Sequence, residues 1–240
     1  MFKPVQKKSL ADAVFEQLRE EIVSGRMEPG EALPAERMLS DMLGVNRGAV
    51  REALKRLEQA RLISIQQGGA TRVLDYRETA GTDLLSALLI RPDASVNTHV
   101  ARSILEMREA IAADIARLCA QRATTEHIVT LADHVATMKE AARDLPALQD
   151  MSMAFWRLMA EGADNVAYLL VVNSLDESYS KFKRLLLHVM AEEFTDLDRY
   201  AAIIRAVADR DPDEAAAEAR ALMHIGHSLI EQVLVRLDEG

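Results

Sequence analysis

Leu10, Val14, Leu18 and Ile22 stand four residues apart, the spacing of one apolar face of an α-helix. Ser9 precedes them with Asp12 three residues on, a capping-box variant. Gly25 and the run Met27-Glu28-Pro29-Gly30 supply a stop and a turn. Pro34 sits near the first turn of a short second helix, Ala35 to Leu43, which Gly44 closes. Asn46 suits the N-cap of a third helix reaching about Ala60, with Val50, Ala53, Leu54 and Leu57 on one face. Two helices joined by a few residues around a glycine are the signature of a helix-turn-helix. The period then changes. Leu62-Ile63-Ser64-Ile65 alternates like a strand, Gln67-Gly68-Gly69-Ala70 is a flexible turn, and Thr71-Arg72-Val73 alternates again. A hairpin placed directly after the third helix is a wing.

Beyond residue 82 the pattern is helical throughout. It predicts helices over Thr82–Ile90, Val96–Arg122, Thr125–Arg143, Leu145–Glu161, Val166–Ala191, Leu197–Asp209 and Asp213–Leu237, punctuated by Pro92-Asp93, Gly162-Ala163-Asp164-Asn165 and Asp211-Pro212. The expected fold is mainly α: a winged helix-turn-helix with a small β-hairpin over residues 1–77, then an all-α helical bundle over 78–240, joined near 74–81.

Composition agrees and narrows the setting. Only 10 glycines and 6 prolines occur in 240 residues, which favours helix over a sheet-rich sandwich. A single cysteine, Cys119, allows neither an internal disulfide nor a cysteine zinc cluster and suits a reducing cytosol. No apolar stretch follows the lysines of MFKPVQKK, and the run Leu84 to Ile90 is too short to span a bilayer. A cytoplasmic protein without a membrane partner is expected. The sequence contains no G-x-S-x-G, phosphate-binding glycine loop, Cys/His pair or HExxH, so no enzyme and no cofactor are expected.

The net charge of −9 argues against nucleic acid until it is divided. Residues 1–77 hold 13 Lys/Arg and 11 Asp/Glu, whereas residues 78–240 hold 16 and 27. Within residues 47–72, Arg47, Arg51, Lys55, Arg56, Arg61 and Arg72 face only Glu52 and Glu58. The second helix of such a motif enters the major groove of double-stranded DNA, its first residues nearest the bases. Asn46, Arg47, Gly48 and Arg51 hold those positions. An arginine offers forked donors to guanine, Asn46 and free helix amides suit phosphate, and Gly48 lets the backbone approach. Arg37 can reach backbone or groove edge, and Gln67, Gly68 and Gly69 form the wing tip. Lys55, Arg56 and Arg61 read instead as solvated or paired with Glu52 and Glu58.

The stretches L-P-x-E-R-x-L-S (Leu33 to Ser40), G-V-x-R (Gly44 to Arg47) and V-R-E-A-L-x-R-L (Val50 to Leu57) together resemble the winged helix of the GntR superfamily of bacterial transcription regulators. The junction IQQGGATRVLDYRETAG is most similar to the FadR-type, fatty-acid-responsive branch. The second half resembles that branch's helical effector (FCD) domain through ARSILEM before Arg108, AFWRLMAEGADN and AIIRAVADRDPDEAA. The resemblance implies a homodimer on a palindromic operator, its DNA affinity set by an effector in the helical domain. Most relatives of this type hold a metal on an Asp and three His. Those positions correspond to Ser152, Trp156, Tyr200 and Leu222 here, so no bound metal is expected. On the last helix, polar pocket positions of acyl-CoA-responsive members read Leu222, Gly226 and Ile230. Those polar residues are not kept, but acyl-CoA-responsive members share the lack of metal ligands, so the resemblance implies a small anionic effector, acyl-CoA first, contacting Arg108, Trp156, Tyr200, Leu222, His224 and Gly226. A metal- or small-carboxylate-responsive regulator is the alternative.

Two groups stay open on sequence alone. Arg108 on an inward helix face needs a partner, either an anionic effector or an acid on a neighbouring helix. His224 with His227, and His127 with His134, share helix faces, but no carboxylate in the sequence pattern completes a metal set; hydrogen-bonded or exposed rings are expected. Phe155, Trp156 and the 11 methionines read as core filling.

Overall fold

The computed structural model describes residues 9–66, 69–91, 93, 95–180 and 182–239. The chain divides into two compact units, one up to Val96 and one from Asn97 onward.

In the first unit α1 spans Leu10–Val23, α2 Glu36–Leu43 and α3 Arg47–Gln59. Both bonds of the capping box form: the Asp12 amide donates to Ser9 Oγ and the Ser9 amide to the Asp12 carboxylate. Gly44 ends α2 at φ 64°, a left-handed turn that only glycine enters without strain. Two residues later Asn46 Oδ1 accepts from the Ala49 amide at 2.9 Å and starts α3. The apolar faces read from the sequence meet in one core: Val14, Leu18 and Ile22 of α1, Leu39 of α2, and Val50, Ala53, Leu54 and Leu57 of α3.

β1 (Ile63–Ser64) pairs antiparallel with β2 (Arg72–Val73), Ile63 opposite Val73, and both of those residues close the core from the side. The turn chemistry at residues 27–30 does more than reverse the chain. Gly30 and Leu33 donate to the Val73 and Thr71 carbonyls, and Val73 donates back to Glu31, all at 2.8–2.9 Å. The hairpin therefore gains a third extended segment along β2. Of the expected wing tip, Gln67 and Gly68 lie outside the described residues.

The expected helix Thr82–Ile90 is broken. α4 covers Tyr76–Thr79, a 3-10 turn covers Thr82–Leu84, and α5 is only Leu85–Leu88. Leu84 buries in the first unit's core, with Ala80, Ala87 and Leu88 packed against it. Ala80, Leu84, Ala87 and Leu88, assigned from sequence to the helical half, thus pack with the winged half.

The second unit comprises α6 (Thr98–Arg122), α7 (Thr125–Glu140), α8 (Leu145–Gly162), α9 (Val166–Ser180), α10 (Lys183–Val189), α11 (Ala191–Thr195), α12 (Leu197–Ala208) and α13 (Pro212–Glu239). The single helix expected over Val166–Ala191 is divided into α9 and α10, and α11 follows. No glycine or proline marks these breaks; the chain bends to set Met190, Glu193 and Phe194 inside. The long helices α6 and α13 run against one another, and α12 packs on both. In the core Phe155 of α8 meets Trp156 and Tyr200 edge-on, centroids 5.4 and 4.9 Å apart. Among the described residues no helix is long and apolar enough to cross a membrane.

Candidate functional site

At the start of α3, Asn46, Arg47, Gly48 and Arg51 are all exposed, as are Arg37 on α2 and Gly69 beside the wing tip. The helix-turn-helix brings the first four together, and Arg51 reaches back to α2. Its guanidinium donates to Glu36 at 3.1 Å while its side chain stays 62 % exposed. Glu36 nonetheless holds the Arg51 fork in place at the helix tip. Among the described residues neither Arg37 nor Arg47 has a hydrogen-bond or ion-pair partner. Asn46 spends its Oδ1 on the cap and keeps its amide NH2 for a ligand.

Arg56, Arg61 and Arg72 have partners within the protein. Arg56 pairs with Asp12 of α1, not Glu52 or Glu58, and lies over the Phe15 ring at 4.3 Å. The Arg56 guanidinium holds the Asp12 carboxyl below its ordinary range. Glu58 instead accepts from the Ile65 amide. Arg61 and Thr79 bond each other's backbone carbonyls, and Arg72 donates to the Gly30 carbonyl.

Inside the helical unit, Arg108 on α6 forms an ion pair with Glu193 on α11. Its side chain is 22 % exposed, whereas Glu193 is wholly buried. Burial pushes the Glu193 carboxyl above its ordinary range, opposed by Arg108. Burial works against the Arg108 charge, yet Glu193 outweighs it and raises the guanidinium's pKa. Glu193 Oε2 is buried against α13 at Gly226, whose backbone N–H favours the charged carboxylate. A Cβ built there would overlap that oxygen, so the glycine makes room for the carboxylate. Glu193 was not singled out in the sequence. Its signal lies in the spacing of Met190, Phe194 and Leu197, which marks an inward face with an acid in the middle.

Trp156, Tyr200 and Leu222 belong to the same core. Tyr200 and Ser152 hydroxyls bond at 2.7 Å, and burial pushes the Tyr200 phenol far up. Trp156 Nε1 is buried without a partner. The four positions that the family resemblance likened to metal ligands thus offer two mutually bonded hydroxyls, an indole and an alkyl chain. This set does not fit a metal.

His224 does not join this group. Its side chain is 66 % exposed and turns toward Glu109 of α6, as does His227. His127 and His134 on α7 each bond through Nε2 to a carbonyl of α8, those of Leu158 and Met151.

Comparisons with known proteins bear on the family and the fold. Residues 10–73 match the family described as "Bacterial regulatory proteins, gntR family", and residues 103–225 match the FCD domain. The HTH-type transcriptional regulator Mce2R of Mycobacterium tuberculosis is 35 % identical over 97 % of this chain and 96 % of its own length. The chain belongs to the gntR family. As in other members, a helix-turn-helix transcription regulator is joined to an FCD effector-binding domain. This gntR protein is also 30 % identical, over 75 % of its length and 73 % of the relative's, to the fatty acid metabolism regulator protein of Salmonella paratyphi B. A solved structure of Lar, described as controlling the Listeria monocytogenes agr system, covers 95 % of the chain and 99 % of its own, with TM-score 0.59 and 17 % identity; that likeness bears on the fold alone.

Proposed function

We propose that this regulator works in the cytoplasm as a homodimer, by binding rather than catalysis. It sets two copies of α3 into a palindromic operator and adjusts its grip according to an anionic effector at Arg108. Arg47 and Arg51 read base edges, Asn46 and Gly48 bring the helix start to the phosphates, and Arg37 and Gly69 contact the flanks.

The observation that carries the effector reading is the buried pair of Arg108 and Glu193. An anion that takes Arg108 competes with Glu193 for the guanidinium and can displace it, and Glu193 sits on the five-residue α11. Displacement moves α11, which gives the effector different affinities for two arrangements of the domain. Coupling to DNA requires such a difference. Trp156, Tyr200, Leu222 and Gly226 surround that movement. The relatives named as fatty acid metabolism regulators make long-chain acyl-CoA the first ligand to try and small carboxylates the second.

The test is fluorescence anisotropy on labelled duplex from the DNA upstream of the protein's own gene, with and without these ligands. Coupling of this kind changes DNA affinity by about 5- to 150-fold, and Arg108→Ala should be unresponsive. An unchanged affinity with both ligand classes, or an equal response in Arg108→Ala, refutes the assignment.

A further inference from the structure

We propose that Glu109, His224 and His227 form a divalent-metal site, suited to zinc, between α6 and α13. It shares no residue with positions 152, 156, 200 and 222, and it does not depend on the effector reading.

Two histidines three residues apart on α13 lie on one helix face, their ring centroids 6.0 Å apart. Sequence spacing alone left them without a third ligand. The packing of α13 on α6 supplies it: Glu109 Oε2 stands 2.9 Å from His227 Nδ1 and 3.5 Å from His224 Nδ1. Donor atoms of all three residues lie within 4.8 Å of one another. In a tetrahedral zinc site with bonds of about 2.0–2.1 Å, neighbouring ligand atoms stand about 3.3 Å apart. The two measured separations bracket that edge, so an ion fits with small side-chain shifts.

A second-shell partner is also at hand. Ser228 Oγ lies 3.3 Å from His224 Nε2. When Nε2–H donates to that hydroxyl oxygen, the Nδ1 lone pair is left for the metal, the outer-shell arrangement that orients metal-bound imidazoles. Two neutral imidazoles and a carboxylate form a borderline donor set that prefers zinc or its late first-row neighbours over magnesium or calcium. The exposure of His224 leaves the fourth position open to water. Glu109 follows Arg108 on α6, and the two histidines flank Gly226 on α13. A bound ion would therefore clamp the two helices beside the buried Arg108–Glu193 pair.

The experiment uses the full chain stripped with chelator, then dialysed against micromolar zinc chloride for metal analysis and thermal melts. Wild type should retain one zinc per chain and melt higher with zinc than without. Glu109→Gln and His224→Ala should each weaken zinc binding at least tenfold and lose the zinc-dependent rise in melting temperature. His224 is mostly exposed, so its variant folds, and circular dichroism checks that. Ser228→Ala should weaken binding less. A wild-type chain that retains no zinc overturns the proposal. So do variants that retain as much as wild type, which would locate the metal on other side chains.

Discussion

The two arginines that matter most here live in opposite settings. Arg47 stands at the tip of α3 in water, without a partner among the described residues. Arg108 is drawn into a helical bundle and matched by a wholly buried carboxylate. A charge in water is cheap to keep and free to meet phosphate or a base. A charge withdrawn from water must be compensated, and whatever compensates it can later be exchanged. The first setting suits recognition of DNA; the second suits a switch. The charge division follows the same line, with most of the acidic excess carried beyond residue 77. In the proposed function that acidity would disfavour DNA at the bundle and leave contact to the winged tip.

The sharpest way to break this contrast is to remove one member of the buried pair. Glu193→Ala leaves the Arg108 guanidinium without its counter-charge, and such single deletions cost about 3–5 kcal/mol. The partial exposure of Arg108 places this case at about 3 kcal/mol. Urea unfolding followed through Trp156 fluorescence measures it. Arg108→Met should cost less, because an abandoned carboxyl can take up a proton and an arginine cannot release one. Equal losses in the two variants would mean that packing, not charge, holds α11 in place. Gly226→Ala tests the same seat from α13. Its methyl group meets Glu193, and overpacking of this kind costs about 1–3 kcal/mol.

At the exposed end the expectation reverses. Arg47→Ala should leave unfolding within about 0.5 kcal/mol of wild type but weaken operator binding about ten- to hundredfold. Arg51→Ala should weaken it too, with a smaller change in salt dependence, because Glu36 already neutralises part of that charge. A loss of stability in Arg47→Ala comparable to Glu193→Ala would erase the distinction between the two settings. Asn46→Ala lies between them. It removes the cap of α3, worth about 1 kcal/mol, and should lower both stability and DNA affinity.

The same contrast explains what could be read from the sequence. The winged half is built from local signals: the Ser9–Asp12 box, Gly44 after α2, Asn46 before α3, and alternation at residues 62–65 and 71–73. Each acts within a few residues, so the elements and the exposed arginines were legible. The bundle's chemistry is not local. Glu193 meets Arg108 across 85 residues and Glu109 meets His227 across 118. No spacing rule reports a meeting that packing decides. The true partners of Arg51 and Arg56, Glu36 and Asp12, were missed for that reason. Local signals also failed where a break lacked glycine or proline, as between α9 and α10.

The smallest expected effect concerns a group that never acquires charge. Cys119 on α6 is fully buried, and burial pushes its thiol up to about 12. Only the thiolate attacks a disulfide reagent, so at pH 8 the native chain should leave an aromatic disulfide such as DTNB nearly unreacted. One thiol per chain should appear after denaturation. Because ionisation and access are both blocked, the rate of reaction in native protein reports opening of the bundle. Glu193→Ala, which loosens α11, should therefore speed modification of Cys119, while Arg47→Ala should leave it unchanged. Rates that rise equally in both variants would show that the two arginines are not energetically separate, and the contrast between recognition tip and buried switch would fall.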